Sequence, residues 1–199
     1  MGERFYHLAG DMLALQQIAW AVRPGVIIQT GVAAGGGPVF SASMLELLGG
    51  DGFVLAIEPA LREDARVALE RHPLSRRIRV LQGSSIDPGV FAAVRDASSG
   101  HGPVMVILDL IHTHAHVKRE LEMYGDLVTP GSYMVVLDTI MEDLPAEMFE
   151  GKPYGKGNNP GTAARAFLME DKRFQADLDL EDRVLMTLAP GGFLRRIEA

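Results

Sequence analysis

The stretch VMVILDLIHTHAHVKREL, residues 104–121, contains the densest group of side chains in this chain that could do chemistry. An apolar run ends at Asp109, and three of the six histidines follow it, at positions 112, 114 and 116. Such a group could bind a metal ion or exchange protons with a substrate. It could also be the polar start of a helix above a buried strand.

Helix geometry separates the three histidines. If Thr113 caps a helix, His112 remains in the loop before it, near a cleft. His114 and His116 then lie on the first turn and point in different directions. This spacing argues against a three-histidine zinc site. His112 is the candidate catalytic base or substrate contact, and the alternative is a surface histidine that bonds the backbone.

Two aspartates, Asp109 and Asp138, each follow an apolar run that is typical of a buried strand. If the two strands are neighbours, their carboxylates lie side by side at one cleft. Paired carboxylate oxygens suit Mg²⁺, which is bound through one or two carboxylates and keeps several waters. We therefore expect Asp109 and Asp138 to be metal ligands, with Asp109 also a candidate catalytic group and cofactor contact.

A glycine-rich segment, QTGVAAGGG (Gln29–Gly37), follows the first apolar run. Glycines allow a ligand to approach the backbone and leave N–H groups free at a helix start. The spacing G-x-x-x-G-G-G matches neither the dinucleotide-binding nor the Walker pattern. A cofactor loop is favoured over a turn that only packs helix against strand. The candidate cofactor contacts are Gln29, Gly31, Gly35 and Gly36.

Polar residues after the next two runs extend this site. Glu58 ends the second run and could accept hydrogen bonds from a ribose diol, or could be a solvated acid. Ser84 and Ser85 follow the third run and could flank an adenine, or could belong to the cap of the helix after Asp87. The glycine loop and Glu58 together indicate a nucleoside-containing cofactor.

Five short apolar runs alternate with helical segments, which predicts a doubly wound, mostly parallel α/β sheet of the Rossmann-like kind. Ligands of such sheets bind beyond the carboxyl ends of the strands. Capping signals, such as Asp87-Pro88 and Asn159-Pro160, predict helix starts. The predicted strands are Val26–Thr30, Phe53–Ile57, Ile78–Gln82, Val104–Leu108 and Tyr133–Leu137.

The remaining segments complete a single domain over residues 1–199. An N-terminal helix is expected within residues 1–24. The runs Arg183–Leu188 and Phe193–Ile197 are joined by four residues, which predicts an antiparallel hairpin. The long segment Thr139–Asn159 has little periodicity, and loops of that length are usually functional or disordered. We expect it to be a lid over the substrate.

Composition limits the function classes. The chain has 199 residues and a formal net charge of −7, which argues against nucleic acid as a partner because no basic face would offset phosphate repulsion. It has no cysteine, which excludes disulfides and thiolate ligands. No apolar run is long enough to span a membrane and no signal peptide is visible, so a cytoplasmic protein is expected.

Several motifs, in their order along the chain, resemble the cephalosporin hydroxylase/rhamnosyl O-methyltransferase family. They are the glycine loop, Glu58, GSSIDP (Gly83–Pro88), DLIHTHAHV (Asp109–Val117), LVTPGSYMVVLDT (Leu127–Thr139), GNNPGTA (Gly157–Ala163) and APGGFLRR (Ala189–Arg196). The resemblance implies the class I methyltransferase fold, S-adenosylmethionine (SAM) as cofactor, and a homo-oligomer. It also implies a divalent metal, such as Mg²⁺, at Asp109 and Asp138, where it would orient a substrate hydroxyl and lower its pKa.

Several polar positions of that family are neutral here. Gln29 and Leu137 stand where relatives commonly carry an acid, and Leu110 and Ile111 stand in a stretch that is polar in the family. Three functions are therefore considered. The first is SAM-dependent O-methylation of a small molecule, a natural product or a sugar. The others are a non-methylating enzyme, such as one catalysing a cyclisation or elimination, and a non-catalytic binding protein on the same scaffold.

Overall fold

A seven-stranded sheet with strand order β3-β2-β1-β4-β5-β7-β6 organises the protein. The computed structural model describes residues 2–197. Strands β1 to β5 run parallel, and β7 is antiparallel to its neighbours β5 and β6, which confirms the predicted fold class. The strands are β1 Val26–Thr30, β2 Phe53–Glu58, β3 Ile78–Gln82, β4 Val104–Leu108, β5 Tyr133–Val136, β6 Phe174–Ala176 and β7 Phe193–Arg196.

The central strands are buried on both faces, as their continuous apolar sequences predict. Every residue of β1, β4 and β5 is buried. Two main apolar cores, one on each face of the sheet, pack these strands against helices. The helices are α1 Ala9–Val22, α2 Gly36–Leu48, α3 Glu63–Arg71, α4 Pro88–Ser98, α5 His114–Tyr124, α6 Pro160–Glu170 and α7 Leu178–Val184.

The capping signals start the helices where the sequence predicts. The Asp87 carboxylate accepts hydrogen bonds from the backbone N–H groups of Gly89 and Val90 at the start of α4. The Asn159 side chain accepts one from Thr162 N at the start of α6. Each helix carries proline in its first turn, where no N–H is needed.

The predicted terminal hairpin is wrong in its first strand. Arg183 and Val184 end helix α7, and the antiparallel neighbours of β7 are β5 and the short strand β6. Leu180 and Val184, one helical turn apart, are both buried against the core, so a helix satisfies this apolar pattern. Leu185 and Met186, which resembled strand residues, are exposed.

The N-terminal region is only partly helical. Helix α1 begins at Ala9, and residues 2–8 before it have no regular structure. The buried Asp11 carboxylate fixes this junction: it accepts hydrogen bonds from Leu8 N, from the Thr187 hydroxyl and from Leu188 N. Among residues 2–197, no helix is long and apolar enough to cross a membrane.

The segment Thr139–Asn159, expected to be a lid, contains two short 3-10 turns, Thr139–Glu142 and Ala146–Phe149. Its end is closed by an isolated bridge between Gly155 and Asn158. It runs along the carboxyl end of the sheet from β5 to α6. Its opening and closing stay a prediction.

Candidate functional site

The carboxyl ends of β1, β2, β4 and β5 bring the predicted polar residues to one edge of the sheet. Thr30, the last residue of β1, is in register with Ile57 of β2 and Leu108 of β4. Leu108 is in turn in register with Val136 of β5. Glu58, Asp109 and Asp138 come at or just after these ends, so parallel register places the three acids along one cleft.

The glycine loop lets backbone segments approach each other closely. Gly31 has φ +90°, and a Cβ there would overlap the carbonyl oxygen of Asp109. A Cβ on Gly36 would overlap the carbonyl oxygen of Arg4, from the N-terminal segment. Gly35 is the N-cap of α2 with φ 95°. Ala33, at the tip of the loop, has a positive φ of 47°, which is uncommon for a residue other than glycine.

Gln29 and Glu58 stabilise this loop from two sides. The buried Gln29 side chain accepts a hydrogen bond from the Ser41 hydroxyl of α2 at 3.1 Å. Glu58 Oε2 accepts one from Val32 N at 3.0 Å, and Glu58 Oε1 accepts one from Ala60 N at 3.1 Å. A carboxylate oxygen can accept a second hydrogen bond, so Glu58 retains capacity for a ribose hydroxyl.

Asp109 is held by a histidine from the other end of the sequence. His7 Nε2 lies 3.2 Å from Asp109 Oδ2, and the His7 side chain is only 5% exposed. Burial alone lowers the pKa of His7, but the hydrogen bond to Asp109 and the charges of Asp109, Asp138 and Asp11 together raise it above its usual value. The Asp109 backbone N–H donates to Thr30 O, which fixes the main chain.

Asp138 and His112 form a second acid–histidine pair. His112 Nε2 lies 3.7 Å from Asp138 Oδ2, and each side chain is 22% exposed. Burial and the neighbouring Asp109 charge raise the pKa of Asp138. The backbone of Asp138 is left-handed, with φ 59°. The Tyr154 ring stands edge-on to the His112 ring at 5.1 Å between centroids.

The two carboxylates fit a magnesium ion that has few protein ligands. Burial and the charge of Asp109 raise the pKa of Asp138, as expected for carboxylates that follow neighbouring strands. Leu137, directly before Asp138, is 2% exposed and belongs to the core. Within residues 2–197, no group of three or more His, Cys, Asp or Glu side chains is arranged to bind a metal. Water and substrate oxygens would complete the coordination.

The other histidines and the serines face different surroundings. Ser85 is fully buried, and its hydroxyl lies 3.0 Å from His116 Nε2. Ser84 is the more accessible of the two serines. His114 Nδ1 lies 2.8 Å from the Thr162 hydroxyl of α6. The cofactor roles of Ser84 and Ser85 stay predictions.

Sequence reasoning missed His7 and Tyr154. Helix periodicity and strand ends direct attention to the sheet, and neither residue lies in a helix or a strand. One signal in the sequence could have indicated His7. Residues Glu3, Phe5 and His7 face inward, whereas Gly2, Arg4, Tyr6 and Leu8 are exposed, which is the alternation of an extended segment packed on a surface.

The chain is similar to known proteins of one family. The model of the family described as rhamnosyl O-methyltransferase/CmcI matches residues 1–197. A rhamnosyl O-methyltransferase of Mycobacterium tuberculosis is 27% identical over 203 residues, covering 98% of this chain and 77% of that protein. The Mycobacterium leprae rhamnosyl O-methyltransferase is 25% identical, covering 98% of this chain and 82% of that protein.

Solved structures share the fold. A CmcI structure with Mg and SAM superposes with a TM-score of 0.71 and 21% identity, covering 98% of this chain and 74% of that chain. An O-methyltransferase from Bacillus cereus, in complex with SAH, superposes with a TM-score of 0.63 and 16% identity, covering 84% of this chain and 72% of that chain.

Proposed function

The chain belongs to the rhamnosyl O-methyltransferase/CmcI family, and from this premise we propose that it is an enzyme that transfers the methyl group of SAM to a hydroxyl oxygen of a small molecule. One observation carries the proposal. The glycine loop, Glu58 and the Asp109–Asp138 pair lie together at the carboxyl edge of the sheet, in a chain matched by the family model over residues 1–197.

The SAM site lies between the glycine loop and Glu58. Gly31 and Gly36 already pack against the carbonyl oxygens of Asp109 and Arg4, so the cofactor would meet the loop through its backbone N–H groups, and Glu58 would accept from the ribose hydroxyls. Gln29 lies under the loop as a neutral neighbour, where many relatives carry an acid. Asp109 closes the site on the β4 side, because its carbonyl oxygen packs directly on Gly31. Ser84, after β3, would flank the adenine of the cofactor.

His112 is the catalytic base. When bound, SAM supplies a methyl carbon attached to a positively charged sulfur. His112 accepts the proton of the acceptor hydroxyl, so that the oxygen can attack that carbon in line. Asp138, at 3.7 Å from His112 Nε2, stabilises the imidazolium that forms. Asp109 is the second acid of this site and would hold the metal ion together with Asp138.

Mg²⁺ held by Asp109 and Asp138 would lower the pKa of the acceptor hydroxyl. Their place after neighbouring strands supports this assignment, since burial and the charge of Asp109 raise the pKa of Asp138 and a cation would favour the ionised carboxylates. With two protein ligands, we expect weaker Mg²⁺ binding than in a site with three.

Partners and location follow the same proposal. The acceptor is a small molecule, such as a natural product or a sugar. The net charge of −7 argues against nucleic acid as a partner. The exposed Trp20 and Leu13 on α1 support a homo-oligomer, which light scattering after size exclusion would measure. The lack of cysteine supports a cytoplasmic location.

Calorimetric titration with SAM tests the proposal. We expect saturable binding by the wild-type chain and its loss in Glu58→Ala, because the carboxylate that accepts from the ribose is removed. Glu70→Ala, which removes an exposed acid of α3 paired with Arg66, is the control and should bind SAM as the wild type does.

No SAM binding by the wild-type chain would refute the proposal. Binding without formation of S-adenosylhomocysteine, over a panel of phenolic and sugar acceptors, would instead favour an enzyme of another reaction on this scaffold. Methylation that persists in the presence of a chelator would refute the role of the metal ion but would leave the methyltransferase proposal intact.

A further inference from the structure

The N-terminal segment Arg4–Leu8, here called the strap, crosses directly over the glycine loop. The Phe5 ring stacks on Phe40 of α2 at 5.3 Å between centroids. The strap backbone also approaches the loop so closely that only glycine fits at position 36. A cavity of about 30 Å³ is enclosed between the strap, the loop and Asp109, which is room for about one water molecule.

His7 is the residue through which the strap reaches the carboxylate pair. Its ring packs edge-on against Phe5 at 4.5 Å, which fixes its orientation. Its Nε2 lies 3.2 Å from Asp109 Oδ2. Its Nδ1 is buried and has no hydrogen-bond partner. Since Nδ1 bonds nothing, the contact that holds the imidazole in place is the one to Asp109.

We propose that His7 is a positioning residue for Asp109, and that the strap is therefore part of the active site. The inference rests on the proposed function, in which Asp109 is one of the two metal-binding carboxylates. The Nε2–H of His7 donates to Oδ2, which leaves Oδ1 as the oxygen that would bind the metal. Carboxylate ligands of metals are commonly oriented by such hydrogen bonds, and loss of the partner weakens metal binding or activity about 10- to 100-fold.

The two halves of Asp109 are thus held by different parts of the chain. Its backbone is fixed by Thr30 of β1, through the hydrogen bonds from Asp109 N to Thr30 O and Oγ1. Its carboxylate is held by His7. The sheet thus fixes the backbone position of Asp109, and the strap fixes the orientation of its carboxylate group.

Two substitutions of His7 separate positioning from packing. His7→Met fills a similar volume but cannot donate a hydrogen bond. His7→Gln keeps an N–H at about the reach of Nε2. We expect His7→Met to weaken Mg²⁺ binding about 10- to 100-fold, and His7→Gln to restore most of the affinity. His101→Met, which alters an exposed histidine before the amino end of β4, is the control and should bind Mg²⁺ as the wild type does.

The measurement is calorimetric titration of the wild-type and variant chains with MgCl₂, without SAM. Phe5→Ala is a second route, since it loosens the strap from Phe40 while His7 is kept; weaker Mg²⁺ binding is expected there too. Unchanged affinity in both His7→Met and Phe5→Ala overturns the proposal. So does an equal loss in His7→Met and His7→Gln, which would indicate packing alone, or a wild-type chain that binds no Mg²⁺.

Failure of this inference and failure of the proposed function are distinguished by the ligand. The methyltransferase proposal is tested by SAM binding and S-adenosylhomocysteine formation, measured separately. The role of His7 is tested by the Mg²⁺ affinity of the variants.

Discussion

At the scale of single residues, the site holds two backbone conformations that its residue types make costly. Ala33 and Asp138 both have positive φ, at 47° and 59°. Such conformations persist where the surrounding structure requires them, and they concentrate at functional sites. Aspartate and asparagine tolerate this region better than other residues with a side chain. Asp138 can therefore turn its carboxylate toward Asp109 at a modest cost.

Asp138→Asn and Asp138→Ala test this directly. We expect Asp138→Asn to keep most of the stability, because asparagine tolerates the same backbone, while Mg²⁺ binding falls at least about 10-fold. Asp138→Ala should lose a further ~1 kcal/mol of unfolding free energy from backbone strain. Urea denaturation and magnesium titration measure the two effects. Equal stability of the two variants would contradict the strain argument.

A buried polar cluster beneath the third strand end has a structural role. The Tyr124 hydroxyl donates to Ser85 O at 2.8 Å, and the Ser85 hydroxyl lies 3.0 Å from His116 Nε2. The fully buried Glu120 lies 3.6 Å from the same nitrogen, and its carboxylate oxygens have no hydrogen-bond partner. The His116 ring thus lies between Ser85 and Glu120, and the Ser85 hydroxyl helps to hold it in place.

Ser85→Ala is therefore expected to affect stability more than cofactor binding. Removing the hydroxyl leaves His116 with a poorer partner and should cost about 1–3 kcal/mol. SAM affinity should change little, because the Ser85 side chain faces inward. Ser84→Ala, at the more accessible neighbour, is the comparison. A large loss of SAM affinity in Ser85→Ala with unchanged stability would contradict this expectation and would support a cofactor-binding role for the Ser85 hydroxyl.

At the scale of elements, Glu142 fastens the long segment between β5 and α6. Its Oε2 accepts hydrogen bonds from Gly157 N at 2.8 Å and from Asn159 Nδ2 at 2.5 Å. Asn159 also caps α6, so one acid connects the start of the segment to its end. The hydrogen bonds from Gly157 and Asn159 lower the pKa of Glu142. Hydrogen bonds to Glu142 thus connect the first part of the predicted lid to its last residues.

This anchoring predicts a dependence on pH. The folded-state pKa of Glu142 lies below its ordinary value of 4.5, so its stabilisation is complete above that value and is lost as the pH falls through the folded pKa. The protection factors of the Gly157 and Asn158 amides, which compare their exchange with the intrinsic rate at each pH, should therefore fall in acid below about pH 4.5. Glu142→Gln should show faster exchange already at pH 7, whereas Glu147→Gln, an exposed acid of the same segment, should not. Identical exchange in the two variants would exclude the fastening.

At the scale of the whole molecule, the sheet is a platform on which distant segments converge. Residues from the N-terminus (His7), the middle (Glu58, Asp109) and the second half (Asp138) meet at its carboxyl edge. Asp11 adds a further connection, because its carboxylate holds Thr187 and Leu188, near the other end of the chain. A ligand at this edge contacts segments that are far apart in sequence, so its binding should stabilise the fold as a unit.

Ligand binding should accordingly raise the melting temperature. SAM at 100 times its dissociation constant adds about 2.7 kcal/mol to the unfolding free energy, if only the folded state binds it. For a chain of this size, that corresponds to an increase of about 5–11 °C. Differential scanning calorimetry measures it. Glu58→Ala should show no increase at the same concentration, and a similar increase in that variant would contradict the assignment of Glu58.

The sequence by itself determined strands β1 to β5 and β7, and the acids at the ends of the parallel strands. Continuous apolar runs can be buried only between two layers of helices, and parallel strands bring their carboxyl ends to one edge. Glu58, Asp109 and Asp138 could therefore be placed at one cleft before any coordinates were known. Capping residues such as Asp87 and Asn159 fixed helix starts, because their side chains satisfy N–H groups within three residues.

Only the tertiary structure decided which partners those acids have. The contact between His7 and Asp109 joins residues about half the chain apart, and no local periodicity encodes such a pairing. The same limit explains the error at Arg183–Leu188. A short apolar run suits a strand or a helix equally, and the core that receives Leu180 and Val184 decides between them. Local propensity chose the elements, and long-range packing chose the side chains that meet at the site.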